Sequence, residues 1–309
     1  MDIPRRTLLA GLAALPLAQL TRAGEPTPQE SRLILLGTAG GPTPKPNRAA
    51  AANAIVVGDR VYLIDAGNGV ARQMVMAGLR TEQLHAVFIT HHHNDHNIDI
   101  GNVLLLAWAD NLAAPVEFHG PPPLKQILRD TLRANRADIS IRMADEARLD
   151  PSKLVSAFEH TGPGPVYEDD RVRVSCTEVV HPPFRHSFAY RFDCPDRSIV
   201  FSGDTAVSEN LVALAKGADV LVHEVMYLPA MEKLIASQPT APRLRQHLLA
   251  AHTTCEDVGR MASAAGVKTL VLSHFVPGGY PFITDEEWLA AVRPYFSGDI
   301  VVGRDLLEL

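Results

Sequence analysis

From residue 32 onward, short apolar runs of β-type residues alternate with longer stretches in which apolar side chains recur at helical spacing. Residues 32–36, 54–57, 61–65 and 86–90 read as strands, with glycine-rich turns between them. Residues 69–79, 98–108 and 122–136 carry helical spacing, and the last has its prolines clustered at the start, where a helix tolerates them. The second half repeats the style, with strand-like runs at 171–180, 187–192, 198–202, 220–223 and 269–273 and helical stretches between them. Thr253 followed by Glu256 matches a capping box, which predicts a helix running to about Ala265 with His252 just ahead of it. No short-period repeat is visible. Strands from both halves with intervening helices predict an α/β fold in which two sheets pack together under helices, as one domain over residues 24–309.

Composition adds two expectations about where and on what the protein works. The 309 residues are 46% hydrophobic, which suits an ordinary globular core. Arg5-Arg6 stands before an apolar run at residues 8–20 and a small-residue region near Ala23, the pattern of a cleavable leader over residues 1–23. The run is too short to span a bilayer comfortably, so no stable membrane span is expected after cleavage. The arginine pair with Thr7 and two leucines resembles a twin-arginine signal, which implies a periplasmic or secreted protein. Net charge is −6; the leader carries +2 (Asp2 against Arg5, Arg6 and Arg22), so the remainder carries −8. That balance disfavours a nucleic-acid partner, whose recognition rests on clustered Lys and Arg, and points to a small-molecule substrate. Cys176, Cys194 and Cys255 are too few and too scattered for a disulfide framework or a thiolate metal site; a Cys176–Cys194 bridge and free thiols both stay open. Oligomeric state is equally open, a homodimer included.

The run Thr90-His91-His92-His93-Asn94-Asp95-His96 follows a strand and precedes a helical stretch. At a strand end alternate residues point the same way, so His91 and His93 can share one metal while Asp95 and His96 turn to a second. Imidazole and carboxylate donors suit zinc, and iron or manganese less specifically. This His-x-His-x-Asp-His pattern resembles the metal motif of the metallo-β-lactamase superfamily. Residues 36–42 (LGTAGGP) resemble the opening turn of its ribonuclease Z and arylsulfatase-like branch, and 63–67 (LIDAG) resemble a conserved strand and Asp turn. Residues 201–205 (FSGDT) and 272–275 (LSHF) resemble the motifs that supply a bridging carboxylate and the last histidine.

The resemblance implies a four-layer αββα sandwich holding two divalent metal ions, zinc being the expected species. One ion would take His91, His93 and a third histidine, the other Asp95, His96 and His274, with Asp204 bridging. His181 and His186 compete for the third place; His181, which ends a strand, fits the pattern better. Asp95 would also orient a hydroxide shared by the metals, and Asp65 would steady a ligand histidine. Residues 222–224 (VHE) and 251–254 (AHTT) resemble ribonuclease Z signatures, which make His252 the candidate general acid, oriented by Glu224. His85, His119, His160 and His247 show no ligand spacing and read as structural or exposed.

A tRNA-processing member of this branch carries a long basic insertion between the third histidine and the bridging Asp, and here only a strand pair fits there. The expectation is therefore an exported binuclear hydrolase of a small ester: an aryl sulfate, phosphodiester or lactone. A β-lactam hydrolase is one alternative, and an iron-dependent oxygenase or redox module on the same fold is another.

Overall fold

The apolar runs become strands because β-branched and aromatic side chains pack well on a pleated surface buried on both faces. The computed structural model describes residues 30–309, so the leader expected at 1–23 lies outside the described residues. The first sheet holds β1 (Ser31–Gly37), β2 (Ala52–Val57), β3 (Arg60–Ile64), β4 (Leu84–Phe88), β5 (Val116–Gly120) and β6 (Val155–Glu159). The second holds β7 (Gly164–Glu168), β8 (Arg173–Glu178), β9 (Phe188–Asp193), β10 (Ser198–Phe201), β11 (Val220–Met226), β12 (Thr269–Val276) and β13 (Asp299–Val302). The last strand, β14 (Leu307–Glu308), returns to the first sheet and pairs with β1. The orders are β14-β1-β2-β3-β4-β5-β6 and β13-β12-β11-β10-β9-β8-β7. In each sheet three antiparallel pairings give way to three parallel ones.

Alternation along the strands sorts side chains into layers. Leu33 and Leu35 of β1 face the second sheet with Phe88, Phe188, Tyr190 and Phe192, whereas Ile34 and Leu36 face outward. That outward face is covered by α1 (Val70–Met76), α3 (Ile100–Ala109), α4 (Leu124–Ala134) and α5 (Arg136–Asp145), the short α2 (Asn94–Asn97) lying between α1 and α3 in the chain. The far face of the second sheet is covered by α6 (Glu209–Leu214), α9 (Cys255–Ala265) and α10 (Asp285–Val292). Between β11 and α9 the chain makes an excursion through α7 (Met231–Ala236) and α8 (Leu244–Ala251), which packs Met231 and Leu248 on Met226 and Val276. The result is the expected four-layer αββα sandwich. Among the described residues no helix is long and apolar enough to cross a membrane.

Two local expectations change. The cap of α9 is Thr254, whose side chain accepts from the Asp257 N–H. Thr253 is diverted because its hydroxyl donates to the Thr205 carbonyl. Strands β5, β6, β7, β13 and β14 are additional to those expected. All three cysteines are free thiols.

Candidate metal centre and active site

Parallel strands end with their next residues facing the same edge of the sandwich, and the histidine-rich run leaves β4 there. Asp65 follows β3 in a left-handed conformation (φ 61°), and its carboxylate accepts from the Thr90 N–H at 2.8 Å and from the Thr90 hydroxyl. His96 Nδ1–H donates to Asp65 Oδ2 at 2.7 Å, and His91 Nδ1–H donates to Thr90 Oγ1 at 3.0 Å. His181 Nδ1–H donates to the Ala251 carbonyl at 2.9 Å. These bonds aim Nε2 of His91, His96 and His181 at the centre. Burial keeps His91 and His181 neutral, with a lone pair there. At His96 burial is outweighed by the carboxylates of Asp204, Asp65 and Asp95, which hold the ring well above its ordinary value, so its Nε2 carries a proton that a bound cation would displace.

What they face are other donors. His91 Nε2 and His181 Nε2 lie 3.0 and 3.1 Å from His93 Nδ1, and His91 Nε2 is 3.8 Å from Asp204 Oδ2. On the other side, His274 Nε2 is 3.1 Å from His96 Nε2, 3.4 Å from Asp95 Oδ2 and 3.3 Å from Asp204 Oδ1. The structure thus gathers His91, His93, His181 and Asp204 into one cluster and Asp95, His96 and His274 into its neighbour. Asp204 Oδ1 is buried without a hydrogen-bond partner, and converging lone pairs with an orphaned carboxylate oxygen fit a pair of divalent cations. Burial pushes His93 and His181 down to about 4, so both are neutral donors at pH 7. Asp204 is held well below the usual carboxylate range: burial opposes ionisation, and His274 and His96 outweigh it. His186 sits apart, with Nδ1–H donating to Glu178 at 2.7 Å.

Backbone devices place the later residues. Asp204 follows Gly203 at φ 58°, where the Phe188 carbonyl and Thr90 leave no room for a Cβ. The β11–β12 register slips between Glu224 opposite Ser273 and Val225 opposite Phe275, so His274 is the extra residue of a bulge, at φ 43°. A bulge re-aims a side chain, here into the site.

Beside the second cluster, His252 Nδ1 lies 2.8 Å from Glu224 Oε2, and the other Glu224 oxygen accepts from the Thr205 N–H at 2.6 Å. Burial alone would push the His252 imidazole down, but the facing carboxylate of Glu224 brings it up to about 9. A cleft of about 540 Å³ opens over these groups, walled by α7, α8 and the loop at residues 41–46. On the far side of that loop a second groove of about 770 Å³ also reaches Asn94 and Asp95.

Two cleft residues escape the sequence reading. Lys45 projects from the loop with Nζ donating to the Gly41 carbonyl at 2.8 Å, and burial lowers it to about 8. His247, expected to be structural or exposed, lies against His93, His181 and His252. Its signal was its place in the apolar stripe Leu244, Leu248, Ala251 of α8. His85, His119 and His160 lie outside both clusters.

Known proteins extend this picture. The Beta-lactamase superfamily domain model matches residues 60–275. Ribonuclease Z of Mycobacterium bovis is 35% identical over 277 residues, 89% of this chain and 96% of that protein. A metallo-beta-lactamase fold protein from Bacillus subtilis superposes with TM-score 0.66 at 19% identity, covering 90% of this chain and 98% of that one. Human tRNase Z, short form, does so with TM-score 0.65 at 19% identity and the same coverage. The ribonuclease Z relatives overturn the expectation of a small-molecule ester as the substrate, and with it the β-lactam and oxygenase alternatives. They also overturn the exclusion of nucleic acid. Net charge sums the whole surface, whereas binding RNA needs only a local field. Nor does the short link between His181 and Asp204 set the chain apart, because an alignment of 277 residues that spans 89% of this chain and 96% of the relative leaves no space for a long arm in the latter. The chain belongs to the metallo-β-lactamase superfamily of hydrolases, in its ribonuclease Z branch.

Proposed function

We propose that this chain is a zinc-dependent endoribonuclease that hydrolyses a phosphodiester bond in RNA of the tRNA type. The observation that carries the reading is the His252–Glu224 pair, 2.8 Å apart, set beside two clusters of metal-binding donors. It is a proton donor placed next to a site for an electrophile, in a chain that resembles ribonuclease Z along nearly its whole length. The two grooves that meet at Asn94 and Asp95 also suit a strand that passes through the site.

In this reading His91, His93 and His181 would hold one ion and Asp95, His96 and His274 the other, with Asp204 available to both. The all-imidazole and carboxylate set favours zinc. Bound there, the ions would lower the pKa of a water and polarise the phosphoryl group. Asp95 orients the attacking water and accepts its proton. As the P–O bond breaks, His252 donates its proton to the leaving ribose oxygen, and Glu224 holds the imidazole in the tautomer and orientation this transfer needs. The test is incubation of the purified protein with a tRNA-precursor transcript bearing a 3′ trailer. Cleavage at a discrete position is expected, dependent on added zinc and abolished in Asp204→Ala. Intact transcript with the metal-loaded protein overturns the proposal.

A further inference from the structure

We infer that His247 is a substrate-contacting residue whose imidazole donates a hydrogen bond to a non-bridging oxygen of the phosphodiester being cleaved. The inference rests on the phosphodiesterase reading above and adds a residue to it.

Helix α8 turns Leu248 and Ala251 down into the fold, while His247 lines the cleft. Its ring centroid lies 5.7 Å from His93, 5.9 Å from His181 and 5.6 Å from His252, with interplanar angles of 87°, 73° and 89°. These are edge-on contacts, and the two donor clusters do not include His247. The neighbours are already engaged: His181 through the Ala251 carbonyl and His93, His252 through Glu224. Among the described residues no hydrogen bond engages the His247 ring. A histidine kept for structure normally satisfies its ring nitrogens within the fold. One that stands half-buried on the wall of a cleft, with both nitrogens uncommitted and three site imidazoles around it, is placed to meet a ligand.

The spacing identifies the atom it meets. Two imidazoles 5.6 Å apart, His247 and His252, can reach two oxygens of one phosphate at ordinary hydrogen-bond lengths. His252 faces the leaving oxygen, which leaves His247 a non-bridging one. The helix is fixed to the site because its last carbonyl, that of Ala251, holds His181. The helix that carries the donor is therefore already fixed relative to the site before charge develops on the phosphoryl oxygens.

The test compares wild type with His247→Ala and His247→Gln, all zinc-loaded, on tRNA-precursor transcript and on bis(4-nitrophenyl) phosphate. Metal content, melting temperature and calorimetric affinity for inorganic phosphate are measured alongside. His247→Ala is expected to lower kcat/KM on both substrates by roughly 10- to 100-fold, the worth of a hydrogen bond to a charged group, and to weaken phosphate binding. Metal content should stay at wild-type level, and His247→Gln, which keeps an N–H donor, should recover part of the loss. Rates within about two-fold of wild type, or a loss that tracks lost metal, overturn the inference. If wild type spares the transcript but cleaves the aryl diester, the RNA reading falls while the His247 comparison is still decided on the diester. If neither is cleaved, equal phosphate affinity in wild type and His247→Ala overturns it.

Discussion

In the proposed mechanism, Glu224 is the residue on which the acid–base chemistry turns. It is buried on β11, with one oxygen on the Thr205 N–H and the other on His252. A carboxamide in its place keeps the shape but not the charge that sustains the imidazole as a proton donor. Glu224→Gln is expected to lower kcat by about 10- to 100-fold with KM and metal content little changed, and His252→Ala by about 10²- to 10⁴-fold. Since the two residues act as one unit, the double variant should be no slower than His252→Ala. Steady-state kinetics on an aryl phosphodiester decide this; additive losses would show that Glu224 acts by another route. His223, next in the chain, shares none of this: its Nδ1–H donates to the Glu224 carbonyl, and burial pushes it down to about 4.

At the scale of elements, the site depends on turns that cannot shift. Gly67 follows β3 where the chain crosses α2; a Cβ there would run into the Asp95 carbonyl oxygen and lie 2.8 Å from the Ala51 carbonyl oxygen. Gly67→Ala is expected to move α2 and with it Asp95 and His96. The signature is loss of metal content with a lowered melting temperature, about 2–3 kcal/mol of stability; wild-type metal content would refute it. How much of this the sequence disclosed follows from how local each feature is. The run from His91 to His96 is legible because one strand end carries four donors within six residues. The strands of the central sheets are legible because their apolar runs are long. By contrast β7 contains Gly164 and Pro165, and β13 and β14 span only four and two residues, too little pattern to read. The bulge at His274 and the left-handed turn at Asp65 are set by pairing with distant strands, so family likeness pointed to the two residues but nothing in the sequence to their backbone geometry. His247 was missed because its partners His93 and His181 are brought to it by the fold and not by spacing.

For the molecule as a whole, Asp169 joins the two sheets away from the site. It accepts from Tyr62 at 2.7 Å and Arg60 at 2.9 Å on β3, and from Tyr167, Arg171 and Val172 around the β7–β8 turn. Burial opposes its ionisation, but the two tyrosine hydroxyls and two backbone N–H groups outweigh it and hold it at about 2. A carboxylate depressed on folding contributes stability that is fully present above its unfolded pKa near 4 and is lost as pH falls through its folded value. Asp169→Asn should therefore cost about 2 kcal/mol at pH 7 and progressively less between roughly pH 4 and 2; a difference independent of pH in urea titrations would contradict this. The string that runs from His91 through Thr90 and Asp65 to His96 has its own consequence at this scale. It ties a donor of one cluster to a donor of the other through a single carboxylate, so ordering either histidine orders its counterpart. Binding of two ions across such a string should be cooperative, and the coupling reciprocal. Titrated with zinc, the chelated protein should pass from empty to doubly filled with little singly filled species. Asp65→Asn should spread the isotherm into two separate steps.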